Sequence, residues 1–510
     1  MPIRGISKYF QTRDSSIDLT KGNLFKKMLL FIVPVVLASL LQLLYTTADL
    51  LVVNYVGGGG DSMAAVGDNG SLINLVVVSF VSISVGANVV VADAKGSLDF
   101  SRGNKALHSS LLLSLVIGVV VAIIGYFLAP TILVWMQTPE SILPLASLYL
   151  RIYFLGVPFL MLYNFGAAIL RGLGDSFRSL VVLFLCGIIN VGGNLALVYL
   201  FYRVLHIENG DIIGVGLSTV ICELLQALLV IYFLAHTHDK SISFSFSKLK
   251  IAKKETKEVL TNGLPSGLEA FIFAITNVVI QSQANRLSSL YGNGVVVGLT
   301  ASDNIEGYIF AILEAFAVGI VAVVAQNLGA KNKENLKKSL LYSIGSIVVI
   351  GIILGGGAAL LHDSLLGLYI SDTSSAEGTL AMASGTARLL LMGLTYVLCA
   401  LMDCGSGYLR GLGHPVAPTL VTLLCAVLFR LGYVFGIFNT LIFPSSLDVS
   451  SKILLLYASY PLCWVLASII YAFMVPHYMK KAFRMIDERP NDNVPTSDNK
   501  AEGSGETPHC

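Results

Sequence analysis

Twelve apolar runs, each long enough to cross a bilayer, succeed one another along this 510-residue chain. They span about 28–53, 64–92, 107–129, 146–170, 179–201, 213–236, 259–285, 295–327, 339–361, 386–409, 418–442 and 453–476. About 20 apolar residues suffice to cross as a helix. Lipid offers no partner to backbone N–H and C=O groups, so a run of this kind can only be helical. Composition agrees: 13% of residues are charged, against about a quarter in soluble proteins. The expected fold is an all-α polytopic membrane protein with twelve transmembrane helices. The first run is too long for a signal-peptide core, so no cleaved signal is expected.

Charge fixes the orientation. Residues 1–27 carry Arg4, Lys8, Arg13, Lys21, Lys26 and Lys27. Basic residues recur in every second loop: Lys95, Arg102 and Lys105; Lys240, Lys248, Lys250, Lys253, Lys254 and Lys257; Lys331, Lys333, Lys337 and Lys338; Lys480, Lys481 and Arg484. The alternate loops, "GGGGD" at 57–61, "QTPES" at 137–141 and "SDTSSAEG" at 371–378, are poor in Lys and Arg. The positive-inside rule therefore puts both termini in the cytoplasm of a cell-membrane protein.

The runs also repeat. Pro34 and Pro265 open comparable helices 231 residues apart, and "VGANVVVADAKG" at 85–96 answers "VGIVAVVAQNLG" at 318–329. "ILRGLGDSF" at 169–177 returns as "YLRGLGHPV" at 408–416. Six helices per half is an even number, so the halves are parallel repeats about an axis along the membrane normal. The expected parts are a cytoplasmic N-terminal segment (1–27), a six-helix lobe (28–236), a basic linker (237–258), a second lobe (259–480) and a disordered cytoplasmic tail (481–510). Two pseudo-symmetric lobes around a central cleft, rocking to open it alternately to each side, is transporter architecture. In the paired elbows Gly172, Gly174, Gly411 and Gly413 let the chain turn. Arg171 and Arg410 are expected to satisfy the positive-inside rule and cap helix carbonyls there. With Pro34 they form the expected structural hinges.

In order along the chain, "TKGNLFKKMLLFIVPVVLASLLQLLYTTAD", "AAVG", "ILRGLGD", "NVVIQS", "IEG", "QNLGA" and "LRGLG" resemble the MATE (multidrug and toxic compound extrusion) family. The likeness covers roughly 20–480. It is nearest to the bacterial and archaeal branch that includes the DNA-damage-inducible F type. The resemblance implies export of organic cations and other amphiphiles, driven by inward H⁺ or Na⁺. It also implies a cell-membrane location, no cofactor and no enzymatic activity.

Ionisable groups inside membrane helices are functional candidates by default. Asp49 lies fifteen residues beyond Pro34, about 22 Å further along a helix. A carboxylate there suits H⁺ or Na⁺, and it matches the family's first-helix Asp. Asn190 and Asn194 share one face of the fifth helix at i, i+4. Relatives have Asn then Asp at these places, so Asn194 leaves the coupling ion open between H⁺ and Na⁺. These three are the ion-coupling candidates, with a polar helix–helix contact as the alternative for the amides.

Candidate substrate or cation-binding residues are Gln42, Tyr45, Glu269, Gln281, Asp303, Glu306, Glu314 and Asp403. Relatives carry Gln at Glu269 and Asn at Asp403. The second-half acids would make a cation-attracting wall, or else be solvated at an outer mouth. Glu223 is a further acid inside a run. Tyr163, Phe271, Tyr308, Phe316 and Met402 either stack on flat cations or simply pack. Arg430 is expected to pair with Asp403 or Glu269. Six cysteines lie within apolar runs without a CxxC pair and read as buried small hydrophobes.

No GxxxxGK[ST], HExxH or GxSxG motif occurs, so neither a P-loop ATPase nor a hydrolase is indicated. No metal site and no nucleic-acid partner are expected. The leading reading is a monomeric, cation-coupled antiporter for small amphiphilic cations, working by a rocker-switch among membrane lipids. A dedicated metabolite exporter or lipid-linked flippase of the same superfamily is the alternative, and a flippase cleft should be basic to meet phosphates. A membrane enzyme or receptor would need a constellation that is not found.

Overall fold

A computed structural model describes residues 16–57, 60–136, 138–237, 241–370 and 373–488. Expectations for residues 1–15, Lys240, the tail beyond 488 and parts of the three basic-poor loops lie outside these. Among the described residues twelve helices are long and apolar enough to cross a membrane. They are α1 (Leu24–Val56), α2 (Gly60–Gly96), α3 (Phe100–Trp135), α4 (Leu143–Gly172), α5 (Ser176–Val198) and α6 (Gly210–Ala235). The second set is α7 (Lys253–Tyr291), α8 (Gly294–Gly329), α9 (Lys333–Leu360), α10 (Ala376–Gly411), α11 (Val416–Ile442) and α12 (Val449–Glu488). Two boundaries move: residues 253–258 of the expected linker begin α7, and residues 481–488 of the expected disordered tail finish α12.

The duplication is visible in packing. In the first lobe α2, α3 and α6 pack on α4, and α1 packs on α5. In the second, α8, α9 and α12 pack on α10, and α7 packs on α11. Each pairing recurs six helices later. The elbows match in backbone detail. Asp175 N–H donates to Leu170 O at 2.8 Å and His414 N–H to Leu409 O at 3.0 Å, a Schellman closure in both. Gly174 and Gly413 hold φ of 78° and 77°, a left-handed conformation that only glycine adopts cheaply. In the first elbow Asp175 then caps α5 through Arg178 N at 3.1 Å. α5 and α11, equivalent by the repeat, share π-helical winding: α5 passes into it at Tyr199–Val204, and α11 contains it at Leu423–Phe429 and Val434–Ile442.

α1 and α7 exchange ends between the lobes. Leu24, Met28, Phe31 and Ile32, before Pro34, are buried in the second lobe's core, whereas Val52 and Val53 are buried in the first lobe's. Conversely Val259, before Pro265, joins the first lobe's core, and Ile280, Ala284 and Leu287 pack against α8 and α11 residues. Both helices run unbroken through their proline.

The lobes meet at the end that carries the basic loops. There α2 and α8 touch backbone to backbone: a Cβ on Gly96 would lie 2.0 Å from Gln326 O, and one on Gly329 would lie 2.1 Å from Asp93 O. Val85, Val89, Ala92, Val321 and Ala325 make a buried apolar seam beside them. Arg102 spans Asp93 at 2.5 Å and Glu258 at 2.8 Å. A strap of residues 17–20 lies across the joint. Ile17 N–H donates to Gly174 O at 2.9 Å, while Asn327 and Asn335 amides donate to Leu19 O at 3.1 Å and Thr20 O at 2.9 Å. Gln326 Nε2 closes the set on Gly172 O at 2.8 Å. Among the described residues α1 and α7 make almost no contact with each other. Leu43, Leu44, Phe271, Ile275 and Val278 on these two helices are exposed.

Candidate functional site

Two polar clusters occupy the helix interiors, one in each lobe. In the first, Asn194 Nδ2 donates to Asp49 Oδ1 at 2.5 Å and reaches Asn190 Oδ1 at 3.3 Å. The i, i+4 spacing on α5 aims both amides at α1. Ser218 on α6 donates to the Asn190 carbonyl at 3.2 Å and ties the third helix in. Asn190 and Asn194 are buried and Asp49 is half-buried. The three expected ion-coupling residues therefore stand together. One turn before Asp49, Tyr45 turns into the lobe against Gly187 and donates its hydroxyl to Leu183 O. The polar end of Tyr45 is thereby engaged by α5.

The second cluster draws Glu269 from α7, Glu314 from α8 and Asp403 and Arg410 from α10. Arg410 Nη2 lies 2.9 Å from Glu269 Oε2, and both side chains are largely buried. The hydroxyls of Thr422 and Ser406 donate to Glu269 Oε1 at 3.1 and 3.3 Å. Asp403 accepts a contact from the Cys399 thiol at 3.7 Å and lies within electrostatic range of Glu314, Arg410 and Glu269. Glu314 is accessible. Three carboxyls thus share one guanidinium, and Glu314 and Asp403 have no base of their own among the described residues.

Three expectations need correction here. Arg410 is not a cap on helix carbonyls at the membrane face; it reaches inward to Glu269. Arg171, in the other elbow, is half-buried beside Tyr163. Arg430 pairs with neither Asp403 nor Glu269. It is fully buried, donates to Asn277 Oδ1 at 3.1 Å and sits 4.0 Å from the Tyr460 ring centroid. Its helix turns it towards α7 and α12 residues rather than towards α10's acids.

Glu306 is likewise not an open member of an acidic wall, while Asp303 beside it stays exposed. Arg388 on α10, a residue the sequence reading passed over, holds both. Its Nε and Nη2 donate to Glu306 Oε1 and Oε2, each at 3.0 Å, and Nη2 also pairs with Asp303. Ser302 and Tyr396 hydroxyls complete Glu306 at 2.6 and 3.3 Å. Glu306 is 2% exposed and its oxygens are spoken for, so it holds α8 to α10. Arg388 lies two residues inside the tenth apolar run, and a cation so placed was the available signal. Gln42 and Gln281 are exposed on α1 and α7, with Gln281 Nε2 donating to Asn285 Oδ1 at 3.1 Å. Phe316 and Tyr163 are buried, Met402 is half-buried, and Phe271 and Tyr308 are exposed.

Among the described residues no group of His, Cys, Asp and Glu has the arrangement of a metal centre. The six cysteines are buried and unpaired with one another.

Known proteins with this pattern are transporters. The family model described as MatE matches residues 34–195 and 265–435, one segment per lobe and together more than half of the chain. Among curated relatives, the probable multidrug resistance protein YoeA of Bacillus subtilis (strain 168) is 25% identical over 409 residues, covering 79% of this chain and 85% of that protein. The multidrug export protein MepA of Staphylococcus aureus (strain NCTC 8325 / PS 47) is 23% identical over 454 residues, covering 86% and 94%. A solved structure of MATE in complex with MaL6 superposes with a TM-score of 0.80 at 20% identity, covering 93% of this chain and all of that one; at that identity the likeness concerns the fold. Matched in both of its repeats, the chain belongs to the MatE family of multidrug efflux transporters: it is a multi-pass membrane protein that moves compounds rather than an enzyme that transforms them.

Proposed function

We propose that this protein exports small amphiphilic organic cations in exchange for inward H⁺ or Na⁺, as a monomer in the cell membrane with both termini in the cytoplasm. The observation that carries this reading is the cluster of Asp49, Asn190 and Asn194 inside the first lobe. A carboxylate inside a membrane lobe, met by the Asn194 amide, is a place to load a proton or a small cation. An amide cannot neutralise it, so the energetic demand for a counter-ion stays. The expected division into an N-terminal segment, two lobes, a basic linker and a tail belongs to the same proposal.

The seam supports alternating access. The lobes close at the end where positive-inside places the cytoplasm, so this state is open outwards. α1 and α7 each begin in one lobe and finish in the other. A rocking motion must therefore be absorbed near Pro34 and Pro265, where each helix lacks one backbone hydrogen bond. The glycine elbows would carry the adjoining helices along. In the second lobe Glu314 and Asp403, without a base of their own, would attract cationic substrates, with Gln42 and Gln281 along the open side. Carboxylates there disfavour a phosphate-bearing lipid as cargo.

The test is transport in proteoliposomes with a fluorescent organic cation. Efflux should be driven by an inward gradient of one coupling ion and vanish when that gradient alone is collapsed. Efflux that survives collapse of both the H⁺ and the Na⁺ gradient would overturn the antiport reading.

A further inference from the structure

Glu223, on α6, is 5% exposed and its Oε2 has no hydrogen-bond partner. It points at α4, where Gly156 leaves the room it occupies: a Cβ on Gly156 would lie 1.9 Å from that oxygen. Glu223 also lies within electrostatic range of Asp49, and Tyr149 on α4 is within range of both carboxyls. A second buried oxygen in the same lobe is unpartnered. Asn194 spends its amide N–H on Asp49 and Asn190, and its Oδ1, on a residue 0% exposed, has no donor.

The groups beside the pair are hydroxyls and a thiol: Tyr149 and Tyr153 on α4 and Cys222 on α6. No Lys or Arg is among the groups acting on either carboxyl. Glu223 Oε2 and Asn194 Oδ1 lack a donor and Asp49 has the Asn194 amide, but no base meets either acid, so the set is incomplete: an ionised carboxylate in a lobe interior needs a positive partner. The oxygen-only composition suits a hard monovalent cation or a proton.

We propose that Glu223 is a ligand of the first lobe's coupling cation, sharing one H⁺ or Na⁺ with Asp49 and with the Asn194 carbonyl oxygen. The inference rests on the proposed coupling role of Asp49 and extends the site from α1 and α5 to α6. Gly156 becomes a positioning residue, because it fixes where the Glu223 carboxyl can sit.

The experiment measures cation binding directly on the full chain in detergent, without drug or transport. Titration with ²²Na⁺ at fixed pH reports sodium, and proton uptake from a pH indicator in Na⁺-free buffer reports H⁺. Glu223→Gln should weaken whichever cation binds by about tenfold or more, as losses around a cation site typically do. Glu223→Asp should recover part of it. Gly156→Ala, which displaces the carboxyl without changing charge, should weaken it too. Unchanged melting and monodisperse elution keep misfolding out of the comparison. Wild-type binding in Glu223→Gln, with binding lost in Asp49→Asn, would overturn the role of Glu223 and leave Asp49 standing. Wild-type binding in both variants would remove the underlying site as well.

Discussion

Arg410, the arginine of the second elbow, reaches 2.9 Å to the carboxylate of Glu269 on α7, the opening helix of its own repeat. The elbow is thereby more than a turn, since it pins α10 to α7. Removing one partner leaves the other charge buried and alone, at a cost of about 3–5 kcal/mol. Glu269→Gln and Arg410→Gln should each lower the melting temperature strongly. The double variant Glu269→Met with Arg410→Met should recover most of the loss, and a double variant as unstable as either single would remove the pairing.

Asp49→Asn keeps the size of the side chain and deletes the charge that Asn194 solvates. Gradient-driven efflux should fall by about tenfold or more, while the protein still folds and is delivered to the membrane. Full efflux in this variant, measured in inverted vesicles, would take Asp49 out of the coupling reaction.

Gly96 and Gly329 set the closeness of the seam. A valine at either position must push α2 from α8, because an added Cβ would already fall within about 2 Å of a carbonyl oxygen. Overpacking of this kind costs about 1–3 kcal/mol. Gly329→Val should therefore loosen this seam and speed deuterium uptake over 85–96 and 318–329. Unaltered exchange in both segments would show that the seam tolerates the bulk.

Arg430 and Asp403 should not rescue each other. The charge swap Arg430→Asp with Asp403→Arg places a carboxylate beside Asn277 and an arginine beside Arg410. It should be no more stable than either single variant. Asn277→Ala alone should cost about 1–3 kcal/mol by leaving the guanidinium with ring faces in place of its acceptor. Recovery in the swap, read as a melting temperature near wild type, would reinstate the pairing that the sequence suggests.

Much of the architecture was legible before any coordinates. The apolar runs, the alternation of basic loops and the internal offsets specify twelve helices in two repeats. The paired "RGLG" motifs specify the same left-handed turn at Gly174 and Gly413. The grouping of Asn190 with Asn194 follows from helical spacing, and Asp49 from its depth. Arg388 with Glu306, Arg410 with Glu269, and Arg430 with Asn277 were not legible. Each joins helices 82 to 153 residues apart, and which face of a helix looks inward decides each pair. A membrane helix is apolar both where it meets lipid and where it meets its neighbour, so no amphipathic stripe reports its rotation. Glu223 was visible as an acid in an apolar run, but its approach to Asp49 depends on α4 offering a glycine at 156.

The strap has a consequence for how the chain is made. Leu19 is bound by Asn327, 308 positions further on, and Thr20 by Asn335. Synthesis runs from the N-terminus, and early parts fold first. The opening residues thus emerge before any of these partners has been translated. The first lobe can assemble long before its own leading segment has its partners in the second. Latching of the strap is then a late event in biogenesis, and one that checks that both repeats have been completed in register.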